Sequence, residues 1–172
     1  MLGLITPAAY YETVCQINLK QLQQQGIRLL LFDLDNTITT WNNPELNHEV
    51  KKWFQELHHL GLQGCILSNN SAQRIQGIAN ELDIAYVPKA RKPLPQGYHR
   101  AMRLCNGNKE TTVMIGDQLF TDMLGANLAG IAGFLVKPIS LAQEFRGTKI
   151  NRKLERLVMK RVLKKMQKRY YN

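Results

Sequence analysis

Two aspartates separated by one residue, Asp33 and Asp35, are the strongest candidates for reactive side chains in this sequence. They follow the apolar run 27–32 and precede Asn36 and Thr37, which favour turns. Because side chains alternate along a strand, both carboxylates project to the same side. Like charges this close oppose each other's ionisation, so such pairs usually bind a cation or divide the roles of nucleophile and acid. The pair therefore predicts a site at the carboxyl end of a buried strand, where open α/β sheets bind ligands.

Polar residues of complementary chemistry also follow the other apolar runs that we interpret as strands. Together with the aspartate pair, the candidates in chain order are Asp33, Asp35, Ser68, Asn69, Lys89, Arg91, Lys92, Asp117 and Asp122. Right-handed crossover connections place the carboxyl ends of parallel strands at one edge of the sheet. We therefore expect acidic, hydroxyl and cationic groups from four segments to meet at that edge.

This combination of groups suits the transfer of a phosphoryl group, whose oxygens carry charge that must be positioned and neutralised. A carboxylate can attack as a nucleophile and form an aspartyl-phosphate. Mg²⁺ takes one or two carboxylates, waters and a substrate phosphate, and Asp33 and Asp117, with a backbone carbonyl near Asp35, provide such ligands. A lysine supplies a point charge for phosphate oxygens. Ser68 can donate a hydrogen bond to another oxygen, which leaves Asp35 for proton transfer.

Alternating helices and strands would position these residues. The predicted helices have apolar residues at helical spacing and span residues 7–25, 47–60, 72–82, 95–105 and 121–129. The predicted strands are short apolar runs that span residues 27–33, 63–67, 84–87, 112–115 and 132–136. This alternation predicts an α/β fold in which a parallel sheet has helices on both faces.

In order and spacing, these motifs resemble the four motifs of the haloacid dehalogenase (HAD) phosphatases. The motifs, which lie within residues 27–136, are Asp33-x-Asp35-x-Thr37, Leu67-Ser68-Asn69, Lys92-Pro93 and Gly116-Asp117 with Asp122. The resemblance implies a HAD-like Rossmannoid sheet and a phosphohydrolase with Mg²⁺ as its cofactor.

The resemblance also implies a role for each candidate residue. Asp33 would be the nucleophile and a Mg²⁺ ligand, and Asp35 would protonate the leaving alcohol and later activate water. Asp117 would hold Mg²⁺, and Asp122 would support the metal site or act as an auxiliary ligand. The residues that would bind the substrate phosphate are Ser68, Asn69 and Lys92.

The layout of the chain resembles a narrower group, the YqeG-like members of HAD subfamily IIIA, which are related to phosphatidylglycerophosphate phosphatases. HAD enzymes that act on small molecules usually carry a cap domain, but the intervals 35–68 and 68–92 leave room for little beyond the core helices. We therefore expect a capless enzyme with an open site. Such a site suits a large substrate, a head group on a surface, or capping by another subunit of an oligomer.

Several candidates also have structural interpretations. Ser68 could cap the helix that begins near Ala72, and Asp122 could lie in the first turn of a helix, where the helix dipole favours a carboxylate. Lys89 competes with Lys92 for the phosphate, although two prolines fix the backbone beside Lys92.

Length and composition indicate one globular domain in a reducing compartment. The chain has 172 residues, and its 3 cysteines, Cys15, Cys65 and Cys105, are far apart and lack metal-binding spacing. No secretory signal is evident, and no apolar run approaches the roughly 18 residues of a membrane span. We therefore expect a cytoplasmic protein that does not cross a membrane.

The excess positive charge lies at the C terminus. Residues 1–145 contain 12 Lys+Arg and 12 Asp+Glu, whereas residues 146–172 contain 11 Lys+Arg and one acidic residue, Glu155. Apolar residues recur there every four positions, at Ile150, Leu154, Val158, Val162, Met166 and Tyr170. This pattern predicts a HAD-like domain over 1–145 and a basic amphipathic helix over 146–172. The helix could pack on the core, dock on anionic lipid at the inner membrane face, or bind nucleic acid, for which no recognisable module is present.

The sequence thus predicts a Mg²⁺-dependent phosphate monoesterase, with phosphatidylglycerophosphate as the favoured substrate. Two alternatives stay open: a phosphatase for a soluble or macromolecular phosphate such as a nucleic-acid end, and a nucleic-acid- or protein-binding adaptor on a HAD scaffold. The intact set of Asp33, Asp35, Lys92 and Asp117 argues against the adaptor.

Overall fold

A six-stranded sheet, parallel throughout, organises the protein in this computed structural model, which describes residues 2–41, 45–140, 155, 157–162 and 164. The strands are β1 (Ala9–Tyr11), β2 (Leu29–Phe32), β3 (Gln63–Leu67), β4 (Ala85–Val87), β5 (Thr112–Gly116) and β6 (Ala132–Val136). Their spatial order is β1-β6-β5-β2-β3-β4. Because every pair is parallel, all the carboxyl ends lie at one edge.

Helices connect the strands and cover both faces of the sheet. They are α1 (Leu2–Ile5), α2 (Leu19–Gln24), α3 (His48–His59), α4 (Ala72–Glu81), α5 (Pro95–Leu104) and α6 (Leu124–Ala129), with a 3₁₀ turn at Val14–Gln16 and a π-helical turn at Leu119–Met123. Helix α3 begins where the Asn47 side chain accepts a hydrogen bond from the Glu49 N–H, at 2.8 Å. Helix α6 ends at Gly130, whose φ of 77° is the left-handed conformation that favours glycine.

The central strand β2 is buried on both faces. Leu30 and Phe32 pack into a core with α2, α3 and α4, whereas Leu29 and Leu31 pack into a second core with α5 and α6. A strand covered on both sides reads as a continuous apolar run, as residues 29–32 do. The fold predicted from the sequence, a parallel α/β sheet covered on both faces, is confirmed.

The prediction of a single helix over residues 7–25 is wrong. Ala9–Tyr11 forms the edge strand β1, which pairs with β6 in a register that aligns Ala9 with Phe134. The 3₁₀ turn and α2 follow, and the Asn18 side chain caps α2 by accepting a hydrogen bond from the Gln21 N–H, at 3.0 Å. The apolar residues of three short elements have the spacing that is typical of one helix. Residues 9–11 form a strand instead because they pair with β6.

The helix predicted over residues 121–129 is present in a modified form. It starts two residues earlier with the π-helical turn Leu119–Met123 and becomes α-helical only at Leu124. Such turns are rare and are frequently found at functional sites.

The predicted absence of a cap agrees with the described chain. Between β2 and β3 the described residues form a loop and α3, and between β3 and β5 they form α4, β4 and α5. Within the part of the chain that the structure describes, no helix is both long and apolar enough to span a bilayer.

The predicted boundary at residues 145 and 146 lies outside the described residues, and so does most of the predicted C-terminal helix. The described residues 155, 157–162 and 164 are helical.

Candidate active site

Asp33 lies at the carboxyl end of β2, at the bottom of the site. Its backbone N–H donates to the carbonyl oxygen of Ile115 on β5, at 2.9 Å, so the strand pairing continues through this residue. Its Oδ1 accepts a hydrogen bond from the Nζ of Lys92, at 2.5 Å. Asp33 is buried, and a buried carboxylate needs such a partner to stay ionised at low cost.

Lys92 joins two carboxylates inside the protein. Its side chain is 3% exposed, and its Nζ lies 2.5 Å from Asp33 Oδ1 and 2.7 Å from Asp122 Oδ1. Asn69 fixes the Lys92 backbone by two hydrogen bonds, accepting from the Lys92 N–H at 2.7 Å and donating from Nδ2 to the Lys92 carbonyl at 3.2 Å. The oxygen and the nitrogen of the Asn69 side-chain amide therefore both hold Lys92 in place.

Asp117 and Asp122 complete a buried acidic cluster with Asp33. One carboxylate oxygen of each residue lies within 4.8 Å of the others, and all three side chains are buried. Asp122 Oδ2 accepts from the Gln118 N–H at 3.0 Å, while its Oδ1 accepts from Lys92. Gly116 is required beside it, because a Cβ there would lie 2.4 Å from the Asp122 carboxylate carbon.

Asp35 lies in a different environment, on the half-exposed side of the site. Its carboxylate accepts hydrogen bonds from the Asn70 side chain and from Arg74 Nη2, the latter at 2.9 Å. The same Arg74 nitrogen donates to the carbonyl oxygens of Thr40 and Trp41, at 3.1 and 2.9 Å. Arg74 therefore ties Asp35 to the loop that follows it.

Ser68 ends β3 within the same edge. Its backbone carbonyl accepts from the Ala90 N–H at 3.0 Å, and its hydroxyl oxygen accepts from the Asn70 N–H at 3.2 Å. The N-cap of α4 is Ser71, so the interpretation of Ser68 as the cap of that helix is wrong.

The charges of the buried pair depend on one another. Burial raises the pKa of Asp33 to about 7; the neighbouring Lys92 opposes this shift, and the nearby carboxylates of Asp122 and Asp35 add to it. Burial alone would lower the pKa of the Lys92 ammonium, but the carboxylates of Asp122 and Asp33 hold it well above its ordinary value. Lys92 is therefore a permanent positive charge beside Asp33.

Comparison with known proteins identifies the family. The family model of the haloacid dehalogenase-like hydrolases matches residues 40–130. The chain is 33% identical over 159 residues to a protein described as "Probable phosphatase YqeG" from Bacillus subtilis, and the match covers 92% of both chains. This chain belongs to the haloacid dehalogenase-like hydrolase family. It is a HAD phosphatase similar to YqeG.

Solved structures of low sequence identity share the HAD fold. An uncharacterized protein from Listeria monocytogenes is 18% identical with a TM-score of 0.54, over 71% of this chain and 88% of that one. CbbY from Rhodobacter sphaeroides, in complex with phosphate, is 13% identical with a TM-score of 0.51, over 70% and 91%. The 3-deoxy-D-manno-octulosonate 8-phosphate phosphatase from Yersinia pestis is 20% identical with a TM-score of 0.51, over 67% and 66%.

In this HAD phosphatase, the structure brings the predicted site residues to one sheet edge. The residues found there are Asp33, Asp35, Ser68, Asn69, Lys92, Asp117 and Asp122. Of the two candidate lysines, Lys92 is buried against Asp33, whereas Lys89 is exposed. The Asn69 side chain holds the backbone of Lys92, and its contact with the substrate phosphate stays a prediction.

Sequence reasoning missed Arg74 and Glu155. Arg74 lies in the first turn of α4, where the helix dipole disfavours a cation. That unfavourable position was the available signal that an acidic partner lies nearby. Glu155 accepts hydrogen bonds from the N–H groups of Leu119 and Phe120, at 2.6 and 3.4 Å. It is the one acidic residue of a strongly basic segment, which was a second available signal.

Proposed function

We propose that this HAD phosphatase hydrolyses phosphate monoesters through an aspartyl-phosphate on Asp33, with Mg²⁺ as its cofactor. The observation that carries the proposal is the contact between Asp33 and the Lys92 ammonium inside the acidic cluster with Asp117 and Asp122. A permanent cation beside a carboxylate can both hold an incoming phosphate and neutralise the charge that its oxygens develop. Apolar residues of similar volume would stabilise the interior at least as well as a buried ion pair, so stability alone does not account for this pair.

The chain's own residues account for both steps of hydrolysis. A carboxylate oxygen of Asp33 bonds to phosphorus while the ester bond to the alcohol oxygen breaks, and Asp35, which enters this step as the carboxylic acid, gives its proton to that oxygen and becomes the carboxylate that Asn70 and Arg74 hold. Water then attacks phosphorus, Asp35 takes a proton from the water, and the bond to Asp33 breaks to release phosphate. Lys92 and the Ser68 hydroxyl bind the phosphate oxygens throughout. The Asn69 clamp keeps Lys92 oriented.

The acidic cluster fits Mg²⁺, because Mg²⁺ prefers hard oxygen ligands. Asp33 and Asp117, with the backbone carbonyl near Asp35, would hold the ion, and the ion would neutralise phosphate charge when bound. Both oxygens of Asp122 already accept hydrogen bonds from Lys92 and Gln118. Asp122 therefore serves as the partner that positions Lys92.

For the substrate, we propose phosphatidylglycerophosphate, or a lipid phosphate monoester like it, at the inner membrane face. The described chain carries no cap over the site. Three exposed apolar residues lie at the same sheet edge: Trp41, Leu94 and Ile139 are 40%, 51% and 52% exposed. Arg74 donates both to the Trp41 carbonyl and to Asp35, and the Ile139 N–H donates to the Asn36 carbonyl at 3.0 Å. Trp41 and Ile139 therefore adjoin the loop that follows Asp35.

The C-terminal segment offers a second contact with anionic lipid. Its described residues Lys160, Arg161 and Lys164 are exposed, and Leu157 of the same helical segment is 74% exposed. Each cation near an anionic leaflet contributes about 1 kcal/mol to binding. An open site flanked by apolar and cationic groups suits a phosphate on a lipid surface.

A phosphate-release assay tests this proposal. The enzyme is given phosphatidylglycerophosphate in mixed micelles, glycerol 3-phosphate, a sugar phosphate, a nucleoside monophosphate and a 5′-phosphorylated oligonucleotide, each with Mg²⁺ or with EDTA. We expect Mg²⁺-dependent release that is fastest for the lipid, with Asp33→Asn as the inactive control. Release that persists in EDTA would overturn the metal requirement, and faster turnover of the oligonucleotide or of a soluble ester would overturn the lipid substrate.

A further inference from the structure

Glu155 places a carboxylate inside the protein from a segment whose other charges are basic. The residue is 2% exposed, and its Oε1 accepts a hydrogen bond from the Leu119 N–H at 2.6 Å and a longer one from the Phe120 N–H at 3.4 Å. Burying a charge is costly unless hydrogen bonds compensate it. Hydrogen bonds from backbone N–H groups to a carboxylate are among the stronger ones. The contact between Glu155 and this backbone is therefore a specific one.

The backbone that Glu155 holds belongs to the active site. Leu119 begins the π-helical turn Leu119–Met123, which carries Asp122. The preceding residue, Gln118, donates its N–H to Asp122 and adjoins Asp117. Glu155 thus fixes the start of the turn whose carboxylate holds the Lys92 ammonium.

Apolar packing seats the same helical segment against the same turn. Val162 is fully buried and shares a core cluster with Ile5, Leu119, Met123 and Leu135. Val158 and Met159 pack against this cluster. The cations Lys160, Arg161 and Lys164 face solvent instead. Of the interpretations that the sequence left open, the described residues show packing on the core.

We propose that Glu155 is a positioning residue for the active site, and that the C-terminal segment is thereby part of the catalytic structure. Glu155 holds the backbone N–H groups of Leu119 and Phe120, and this keeps Asp122 in place to orient Lys92 beside Asp33. That Glu155 holds the turn which carries Asp122 follows from the hydrogen bonds described above. Only its consequence for turnover rests on the proposed phosphatase activity.

The test compares Glu155→Ala, Glu155→Gln and Val162→Ala in the full-length protein. Glu155→Ala removes the acceptor, Glu155→Gln keeps a weaker neutral acceptor, and Val162→Ala removes packing from the same helical segment while keeping the acceptor. Hydrogen exchange of residues 118–123, followed by mass spectrometry, reports on the turn without any need for activity. Calorimetric titration with Mg²⁺ alone reports on the metal site, and a melting curve reports on overall stability.

We expect Glu155→Ala to speed exchange in residues 118–123. Because this turn directly follows the proposed ligand Asp117, we also expect Mg²⁺ binding to weaken by about 10-fold, the lower end of what removal of a residue supporting a metal site usually costs. Glu155→Gln should change both quantities in the same direction by a smaller factor. Val162→Ala should lower the melting temperature but leave Mg²⁺ affinity within about twofold of the wild type, well below that cost.

Two results would overturn the positioning role. One is wild-type exchange and Mg²⁺ affinity in both Glu155 variants. The other is a loss of Mg²⁺ affinity in Val162→Ala as large as that in the Glu155 variants, because Val162 packs on the same turn and this would trace the effect to apolar packing and not to the Glu155 carboxylate. If Glu155→Ala does not fold, Glu155→Gln against Val162→Ala decides the same question. Because exchange and metal binding need no substrate, failure of this proposal is distinguishable from failure of the proposed phosphatase activity.

Discussion

The two aspartates of the first motif are separated by one residue, yet their hydrogen-bond partners differ. Asp33 is buried against Lys92, and Lys92 in turn holds Asp122; the side chains of Asp33, Lys92 and Asp122 are 10%, 3% and 0% exposed. Asp35 is half-buried and accepts hydrogen bonds from Asn70 and from Arg74, whose side chain is 23% exposed. The difference lies in their partners: Asp33, which directly follows β2, meets a buried cation, whereas Asp35, whose side chain is 17% exposed, meets an arginine beside the loop that follows it.

This contrast divides the chemical work between the two residues. The deep side, which comprises Asp33, Lys92, Asp117 and Asp122, is held by residues from three distant segments, which suits a nucleophile that must meet phosphorus in one fixed geometry. The shallow side, which comprises Asp35, Asn70 and Arg74, adjoins solvent and the loop that follows Asp35. This position suits a group that exchanges protons with a leaving alcohol and with water. The experiments below test whether the two sides are as distinct in function as in structure.

Loss of the nucleophile on the deep side should have the largest effect. We expect Asp33→Asn to reduce turnover by about 10⁴-fold or more, because removing the group that forms the covalent intermediate costs this much in comparable enzymes. The measurement is phosphate release in the presence of Mg²⁺, with circular dichroism to check the fold. Trapping of the wild type with beryllofluoride should place the adduct on Asp33, and an adduct on Asp35 would reverse the division of roles.

Loss of the proton-transfer group on the shallow side should depend on the substrate. We expect Asp35→Asn to lower turnover of an alkyl phosphate by about 10²- to 10⁴-fold, the usual contribution of general acid–base catalysis. Formation of the aspartyl-phosphate from p-nitrophenyl phosphate should fall much less, because that leaving group needs no proton. Pre-steady-state measurement of the nitrophenolate burst isolates this step. Equal losses for both esters would contradict the role of Asp35.

Loss of the buried cation should affect both activity and stability. We expect Lys92→Met to lower turnover by about 10²- to 10³-fold, as removal of one preorganised electrostatic contact does. It should also destabilise the metal-free protein by about 3–5 kcal/mol, because it leaves buried carboxylates without their partner. Chemical denaturation measures the second effect. Lys89→Met is the matched control: Lys89 is exposed and three residues away, so both quantities should stay near those of the wild type.

The deep side was largely predictable from the sequence, because its signals are local. Asp33, Lys92 and Asp117 each follow a short apolar run, and parallel topology then brings strand ends together. The resemblance to HAD phosphatases added their roles. The same reasoning could not show that the Asn69 side chain holds the Lys92 backbone, since this pairing joins positions 23 residues apart without any periodic pattern.

The shallow side and the edges of the fold were harder to predict, for a physical reason. Arg74 reaches Asp35 across 39 residues, and Glu155 reaches Leu119 across 36. Such contacts are set by how helices dock on the sheet, and a single sequence does not encode docking in a local pattern. The prediction for residues 9–11 was wrong for the same reason, because these three residues form the edge strand β1 only by pairing with β6.

Loss of Arg74 should have the smallest effect, and it tests most directly whether the surroundings of Asp33 and Asp35 serve different steps. Because Arg74 holds Asp35 and the carbonyls of Thr40 and Trp41, we expect Arg74→Met to lower turnover of an alkyl phosphate by about 10-fold, the lower end of what loss of an outer hydrogen-bonding partner costs. Turnover of p-nitrophenyl phosphate should change less. The guanidinium also lies 5.6 Å from the centre of the Trp41 ring, so tryptophan emission should change in the variant.

The control for this variant is Arg103→Met, because Arg103 is exposed in the last turn of α5, at the opposite edge of the sheet. It should leave both the emission and the turnover unchanged. An equal loss for the two esters in Arg74→Met would show that Arg74 acts on phosphate binding. Arg74 on the shallow side would then help Lys92 on the deep side to bind phosphate. The two sides would differ only in the roles of Asp33 as nucleophile and Asp35 as proton-transfer group.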